Sequence, residues 1–287
     1  MKYAFIRQQA NRHGIRDLCA ALKVSRSGYY HWLHRPLSTG VQASQVLADK
    51  IKTVFTAHRG RYGSPRVHAV LQHNGEAVSK SRVARLMRRQ QLVATRAKRH
   101  KRVYVQREQQ QPAPNHLNRA FTAHRPDQKW VSDITFIQTR QGTLYLATVV
   151  DLFSRAVIGW GMSARINGQL VLDALEMAIQ RRGSPQGVLV HSDQGSQYTA
   201  QAYRDKLKEN AMCCSMSRKG ECHDNAVAES FFHTLKEELV KDERFTSLRE
   251  AKQKIFRYIE LYYNRQRLHS TLGYHAPLEY ERINAVA

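Results

Sequence analysis

Between residues 130 and 162 three apolar segments follow one another with strand periodicity, and this run constrains the fold more than any other feature of the chain. Segments 130–138, 143–151 and 156–162 alternate or run continuously apolar, with Arg140-Gln141-Gly142 turning the chain between the first two. The period then changes. Leu172, Leu175 and Ile179 recur at helical spacing within 168–182, and Gly183-Ser184-Pro185 ends that stretch. A short apolar strand is expected at 187–191, a helix at 199–209, a strand at 212–216, and helices at 225–240 and 247–264. Three strands in a meander, then alternating helix and strand, predict an α/β fold: a mixed sheet with helices on both faces.

Charge divides the chain differently. Lys and Arg number 46 against 23 acidic residues, for a net charge of +23. Residues 1–115 hold 23 basic and 4 acidic side chains (net +19), the remainder 23 and 19 (net +4). An excess of this size repels itself unless a polyanion neutralises it, so nucleic acid is the expected partner of the front half. An anionic membrane is the other candidate, but no apolar run approaches the roughly 18 residues that would span one, and no secretory pattern opens the chain. A cytoplasmic protein is expected. Cys213, Cys214, Cys222 and His223 match no paired zinc-ligand spacing, so reduced thiols and no zinc are expected.

The basic half reads as helical. Residues 15–33 give helix, turn and a second helix opening at Ser25, with Leu18, Leu22 and Val24 inward. In a second unit Ser64 is read as the cap of a helix with Pro65 at its start, Asn74-Gly75 as a turn, and Ser79 as the cap of a further helix. That last helix sets Val83, Leu86 and Met87 on one side and leaves Arg82, Arg85, Arg88 and Arg89 for phosphates. The domain expectation is therefore a helix-turn-helix DNA-binding region over 1–95, in two units of about 1–40 and 43–95. A basic, Gln/Pro-rich linker follows at 96–120, in which Lys98, Arg99, Lys101 and Arg102 are further DNA contacts. The core occupies 121–245, and a helix with a tail occupies 246–287.

Three carboxylates stand out in the core. Strand alternation places Val131, Asp133, Thr135 and Ile137 on one side, so an acid interrupts an apolar row. Asp193 follows the strand GVLVH and opens the turn Gln194-Gly195-Ser196. Glu229 lies one turn into a helix beginning near Asn225, with His233 and Lys236 on the same polar face. Three converging acids repel and destabilise a fold unless a cation joins them, and hard oxygen ligands suit a pair of Mg²⁺ ions. Each acid by itself has an ordinary structural explanation. The spacing, with 59 residues between Asp133 and Asp193 and 35 between Asp193 and Glu229, argues for the set.

That spacing, with the strings WVSDIT, HSDQGSQY and DNAVAESFFHTLKEEL, resembles the DD(35)E transposases and retroviral integrases, and most closely the second-frame product (OrfB) of the insertion sequence 3 family. ELYYNRQRLHSTLGYHAPLEY resembles the family's closing motif and YGSPRVHAVLQHNGEAVSKSRVARLMRRQQL its N-terminal DNA-binding region, so the likeness runs from about residue 15 to the end. The resemblance implies a ribonuclease H-like fold and two Mg²⁺ ions, with Mn²⁺ able to substitute, held by Asp133, Asp193 and Glu229. It implies Lys236 as a DNA contact at the scissile phosphate. It also implies cleavage and joining at terminal inverted repeats, integration into target DNA, and a copy-out, paste-in route through a circular intermediate. Family members usually act as a frameshift fusion with an upstream helix-turn-helix and leucine-zipper part. This chain starts at Met1 and shows no sustained heptad, so that part is expected to be separate or absent. The His/His/Cys/Cys zinc module of retroviral integrases has no counterpart in the spacing.

Neighbouring residues carry further expectations. Asp151 ends the second strand and is read as structural or supporting; His191, Gln194 and His233 are read as supporting groups around the ligands. Asn225 and Arg267 are read as DNA contacts, although capping and packing explain such residues as often. A homo-oligomer on DNA is expected, because joining two ends needs two sites. Two rival readings use the same residues: a DNA-binding regulator whose catalytic domain is unused, and a ribonuclease H acting on RNA/DNA hybrids.

Overall fold

The computed structural model describes residues 1–35, 38–94, 112–241 and 243–284. Five strands form one sheet: β1 (Lys129–Thr139), β2 (Gly142–Asp151), β3 (Val157–Ser163), β4 (Leu189–Ser192) and β5 (Cys213–Met216), in the spatial order β3-β2-β1-β4-β5. β1 is antiparallel to β2, and β2 to β3, while β1, β4 and β5 run parallel. The meander is closed by a two-residue turn between Thr139 and Gly142, where φ is +121° at Gly142, a value a side chain rarely tolerates.

Alternation then sorts the residues to two faces. Trp130, Ala147, Val149 and Ile158 pack with α7 (Gly168–Arg181) and α9 (Gln201–Glu209), which follows the short α8 (Ser196–Thr199). α7 approaches so closely that a Cβ on Gly159 or Gly161 would collide with the carbonyl of Ala174 or Leu170. Val131, Ile137, Leu144, Leu146 and Val150 form the other face. Against it lie α10 (Ala226–Leu235), prolonged by a π-helical turn Lys236–Val240, and α11 (Leu248–Arg257), prolonged by a π-helical stretch Tyr258–Tyr263.

Among the described residues, the front half is six helices in two units. α1 (Lys2–Gln9), α2 (Ile15–Ala21) and α3 (Arg26–His34) enclose Ile6, Cys19 and Tyr29, and Ser25 caps α3 by accepting from the Gly28 N–H at 3.0 Å. α4 (Thr39–Ala57), α5 (Ser64–His73) and α6 (Lys80–Arg89) form the second unit. α4 is a nineteen-residue helix that sequence reading left unassigned, although Leu47, Ile51, Val54 and Phe55 sit at helical spacing. Ser79 caps α6 as expected, accepting from the Arg82 N–H. Ser64, by contrast, is the first helical residue and Gly63 the cap.

Two of the expected boundaries shift. The linker does not extend to residue 120: Leu117 is buried in the sheet's core, and the His116 and Leu117 N–H groups both donate to Ser215 Oγ, at 2.9 and 3.1 Å. Pro114 accepts from the Met216 N–H, so this segment lies along the edge strand β5, satisfying groups that an edge otherwise exposes. The C-terminal helix and tail pack on both halves. Leu268 is buried in the core of α4–α6, and α12 (Pro277–Asn284) is tied back to the sheet by Glu281 and Arg182.

Candidate active site

Asp133 is carried by the central strand and is almost wholly buried. In the parallel ladder Val131 lies opposite His191, so Asp133 and Asp193 stand two residues beyond matched positions of adjacent strands and emerge at the same edge of the sheet. Asp193 Oδ1 accepts from the Gly195 N–H at 2.9 Å, and Asp133 Oδ1 from the Ile134 N–H at 2.8 Å, which orients both carboxylates locally. Tyr198 reports their joint presence: burial first, then Tyr203, Asp133 and Asp193, raise the pKa of its hydroxyl far above the phenol range. That hydroxyl is 3.0 Å from Ser132 Oγ.

Glu229 is carried by α10, whose start approaches the same strand. Asn225, the residue before α10, donates from Nδ2 to the Ser132 carbonyl at 3.0 Å and thereby pins the start of the helix next to Asp133. Three turns later Lys236 Nζ lies 4.9 Å from the centre of the Phe136 ring, on the strand of Asp133. The third acid thus travels on a helix fastened to β1 at both ends. Among the described residues, however, no three His, Cys, Asp or Glu side chains are gathered closely enough to hold a metal ion as they stand. The donor chemistry nevertheless suits a hard cation. Two buried oxygens beside Asp133 have no hydrogen-bond partner: Thr148 Oγ1, on the residue directly opposite Asp133 in β2, and Asn225 Oδ1. Buried oxygens are seldom left unpaired without a reason, and a site that takes up a cation with its waters is one.

Family models described as "Integrase core domain" match residues 123–222 and 210–277, and one described as "HTH-like domain" matches residues 42–100. The transposase InsF for insertion sequence IS3A of Escherichia coli (strain K12) is 42% identical over 286 residues, covering 99% of each chain. The transposase for insertion sequence element IS904 of Lactococcus lactis subsp. lactis (strain IL1403) is 42% identical over 253 residues, covering 88% of this chain and 100% of that one. The chain belongs to the insertion sequence 3 family of transposases. Its core is an integrase core domain of the ribonuclease H-like kind, and the enzyme type is a polynucleotidyl transferase. Among solved structures, the simian T-cell lymphotropic virus intasome in complex with PP2A regulatory subunit B56 gamma aligns with a TM-score of 0.47 at 15% identity, covering 81% of this chain and 74% of that one. The HTLV-2 integrase catalytic core domain in complex with magnesium (dimeric form) aligns at 0.41 and 16%, covering 55% and 97%.

Around the transposase's carboxylate edge the other expected residues have distinct surroundings. His191 is fully buried, with Nδ1 2.8 Å from Ser215 Oγ and Nε2 3.1 Å from Ser217 Oγ. Burial outweighs the nearby Asp224 carboxylate and lowers its pKa to about 4, so the ring is neutral at neutral pH. Gln194 donates from Nε2 to the Ser217 carbonyl at 2.9 Å, fastening the Asp193 turn to the end of β5. His233 is exposed on α10.

Two expected DNA contacts are buried. Asn225 donates to the Ser132 carbonyl, which ties the start of the helix to β1. Arg267 is also buried: its Nε lies 3.0 Å from Glu238 Oε1 and its Nη2 2.9 Å from the same oxygen, and although burial pulls its pKa down, the Glu238 carboxylate more than offsets this and raises it. A guanidinium held this way is an internal counter-ion. On α6, Arg85, Arg88 and Arg89 are exposed, whereas Arg82 is half-buried and donates to Ser44 Oγ at 3.3 Å. Lys98, Arg99, Lys101 and Arg102 lie outside the described residues.

Asp151 faces away from Asp133. Register sets it opposite Trp130, an odd offset of three from Asp133, hence on the other side of the sheet. It accepts from the Asp127 and Phe153 N–H groups at 2.9 and 2.7 Å, with Arg182 Nη2 at 3.6 Å, and burial raises its pKa to about 6.

Sequence reading missed Asp224. It is fully buried immediately before the helix of Glu229, where Arg218 grips it through Nε and Nη2 at 3.0 Å each, and Arg119 Nε and Asn115 Nδ2 donate at 2.6 and 2.9 Å. These hydrogen bonds, Arg218's first, hold its carboxyl well below the usual range. Its signal was present in the adjacent acid and amide of DNAVAES, but its partners are 6 to 109 positions away. Cys19, Cys213 and Cys214 are free thiols, and among the described residues no helix is long and apolar enough to cross a membrane.

Proposed function

We propose that this transposase cuts and joins insertion-sequence ends at a site formed by Asp133, Asp193 and Glu229, with two magnesium ions as cofactor. The observation that carries the reading is the parallel pairing of β1 with β4, which brings two acids from distant parts of the chain to one edge beside the helix of the third. When bound, the magnesium pair supplies Lewis-acid activation of water or a DNA 3′-hydroxyl and neutralises charge at the scissile phosphate. Asp133 from within β1, Asp193 from just past β4 and Glu229 from α10 would hold that pair. Lys236 meets the phosphate next to the cut, and Phe136, packed against its ammonium, directs it there. Tyr198 and Ser132 buttress the strand behind Asp133.

The helical front half grips DNA, with Arg85, Arg88 and Arg89 on phosphates of the terminal inverted repeats and α3 as a second contact. The chain assembles as a homo-oligomer that holds two ends and a target, with an upstream-frame protein fused or associated, and works through a circular intermediate. A cytoplasmic, nucleoid-associated protein follows.

The test is joining of labelled element ends by wild type, Asp133→Asn, Asp193→Asn and Glu229→Gln, with Mg²⁺, Mn²⁺ or EDTA. Metal-dependent joining by wild type alone is expected. Equal joining by wild type and Asp193→Asn would remove the catalytic assignment, and faster cutting of RNA/DNA hybrids than of DNA ends would favour a ribonuclease.

A further inference from the structure

The helix that carries Glu229 and Lys236 ends in a π-helical turn, and Glu238 within that turn joins the two halves of the molecule. Its carboxylate, 9% exposed, takes the Arg267 guanidinium at 2.9 to 3.1 Å, the Tyr258 hydroxyl at 2.9 Å and Arg66 Nη1 of α5 at 3.7 Å. Its main-chain carbonyl accepts from Arg61 Nε at 3.0 Å. A helix end leaves its last carbonyls without intrahelical donors, and this one is capped by a side chain from the DNA-binding unit, 177 residues earlier in the chain. The Arg61 guanidinium also lies over the Tyr262 and Tyr258 rings, 4.5 and 5.5 Å from their centres. Beside it Tyr62, fully buried, donates to the Gln266 carbonyl at 3.1 Å and accepts from the Leu268 N–H at 2.9 Å.

A buried ion pair adds little net stability over an apolar contact of the same shape, because desolvation offsets its attraction; what it does well is fix one geometry among several. An apolar face alone would let α5 slide on the C-terminal segment. Two guanidinium groups meeting one carboxylate and its own backbone carbonyl do not permit that. We infer that Glu238, with Arg61 and Arg66, is a positioning latch through which the α4–α6 unit sets the helix of Glu229 and Lys236, so that an inverted-repeat end gripped by α6 is registered on the catalytic edge. The inference rests on the reading of Glu229 and Lys236 given above.

The experiment uses the full chain and compares wild type with Arg61→Ala/Arg66→Ala and the conservative Arg61→Lys/Arg66→Lys pair. Amide hydrogen exchange over 236–241 is followed with and without an oligonucleotide bearing the element's end. In wild type the end should slow exchange in this segment by about tenfold, while the double alanine variant should bind the oligonucleotide within about threefold of wild type and show no such slowing, coupling through packed networks being of that size. Preference for joining true over scrambled ends should fall about tenfold in the alanine pair and return in part in the lysine pair. Equal slowing in wild type and the alanine pair would overturn the latch, as would faster basal exchange with unchanged slowing, which marks a merely structural contact. The exchange readout needs no catalysis: wild type that fails to join ends removes the catalytic reading, yet still reveals whether DNA bound in front is felt at the helix.

Discussion

Two groups of acids occupy the same sheet and are treated in opposite ways. Behind β1, Asp127, Asp151 and Glu281 converge on Arg182, and the backbone N–H groups of Asp127 and Phe153 complete the set on Asp151. At the far side of the same strand, Asp133 and Asp193 share an edge with two unpartnered buried oxygens, and each accepts from a neighbouring main-chain N–H group, of Ile134 and Gly195. One group is closed by a guanidinium and a folded tail; the other is braced by strands and a pinned helix at the sheet's edge. Residue type does not separate the two groups. Place in the sheet does, and a strand's parity chooses the face.

The strongest way to break this contrast is to neutralise one acid on each side. Asp193→Asn should lower end joining on the order of 10³-fold or more while leaving the thermal midpoint close to wild type, since a metal ligand is needed in the transition state and not for packing. Comparable loss from Asp151→Asn in joining would erase the distinction. Asp224→Ala sharpens it next, because that acid belongs to neither group. Removing the acceptor for Arg218, Arg119 and Asn115 should cost about 1–3 kcal/mol in denaturant unfolding and slow joining about tenfold through a loosened α10.

Asp151→Asn acts through pH. Its folded pKa of about 6 lies above the unfolded carboxylate value near 4, so its contribution to stability is complete below about pH 4 and lost as pH rises through 6. Relative to Asp151→Asn, wild type should therefore lose about 2–3 kcal/mol between pH 4 and 6, and parallel stability profiles would contradict the buried placement. The smallest effect lies outside both groups. Arg85→Ala/Arg88→Ala/Arg89→Ala should flatten the salt dependence of full-chain DNA binding by about 2 to 3 logarithmic units of slope, and an unchanged slope would remove α6 from the phosphate contacts. The full chain is required, since Leu268 completes the core of α4–α6.

Much of this was legible beforehand. All five strands fall within two residues of where periodicity set them, because alternation is written into consecutive residues and needs no knowledge of partners. The spacing of Asp133, Asp193 and Glu229 was equally plain. What escaped reading was long-range. Arg267 looked like a phosphate ligand until Glu238 was found against it, Asn225 like a DNA contact until its amide met Ser132, and 112–120 like a linker until Leu117 entered the core.

The sequence by itself determined the strands of the sheet and their order along the chain, the basic front half, and which acids could face a metal. Only the tertiary structure decided which charges are held inside the protein, that the C-terminal segment completes the core of α4–α6, and that the helix of Glu229 is capped by Arg61 from the front half. The reason is physical: periodicity and composition are local properties of a chain, whereas the partner of a buried charge is set by whatever other segment the fold presses against it.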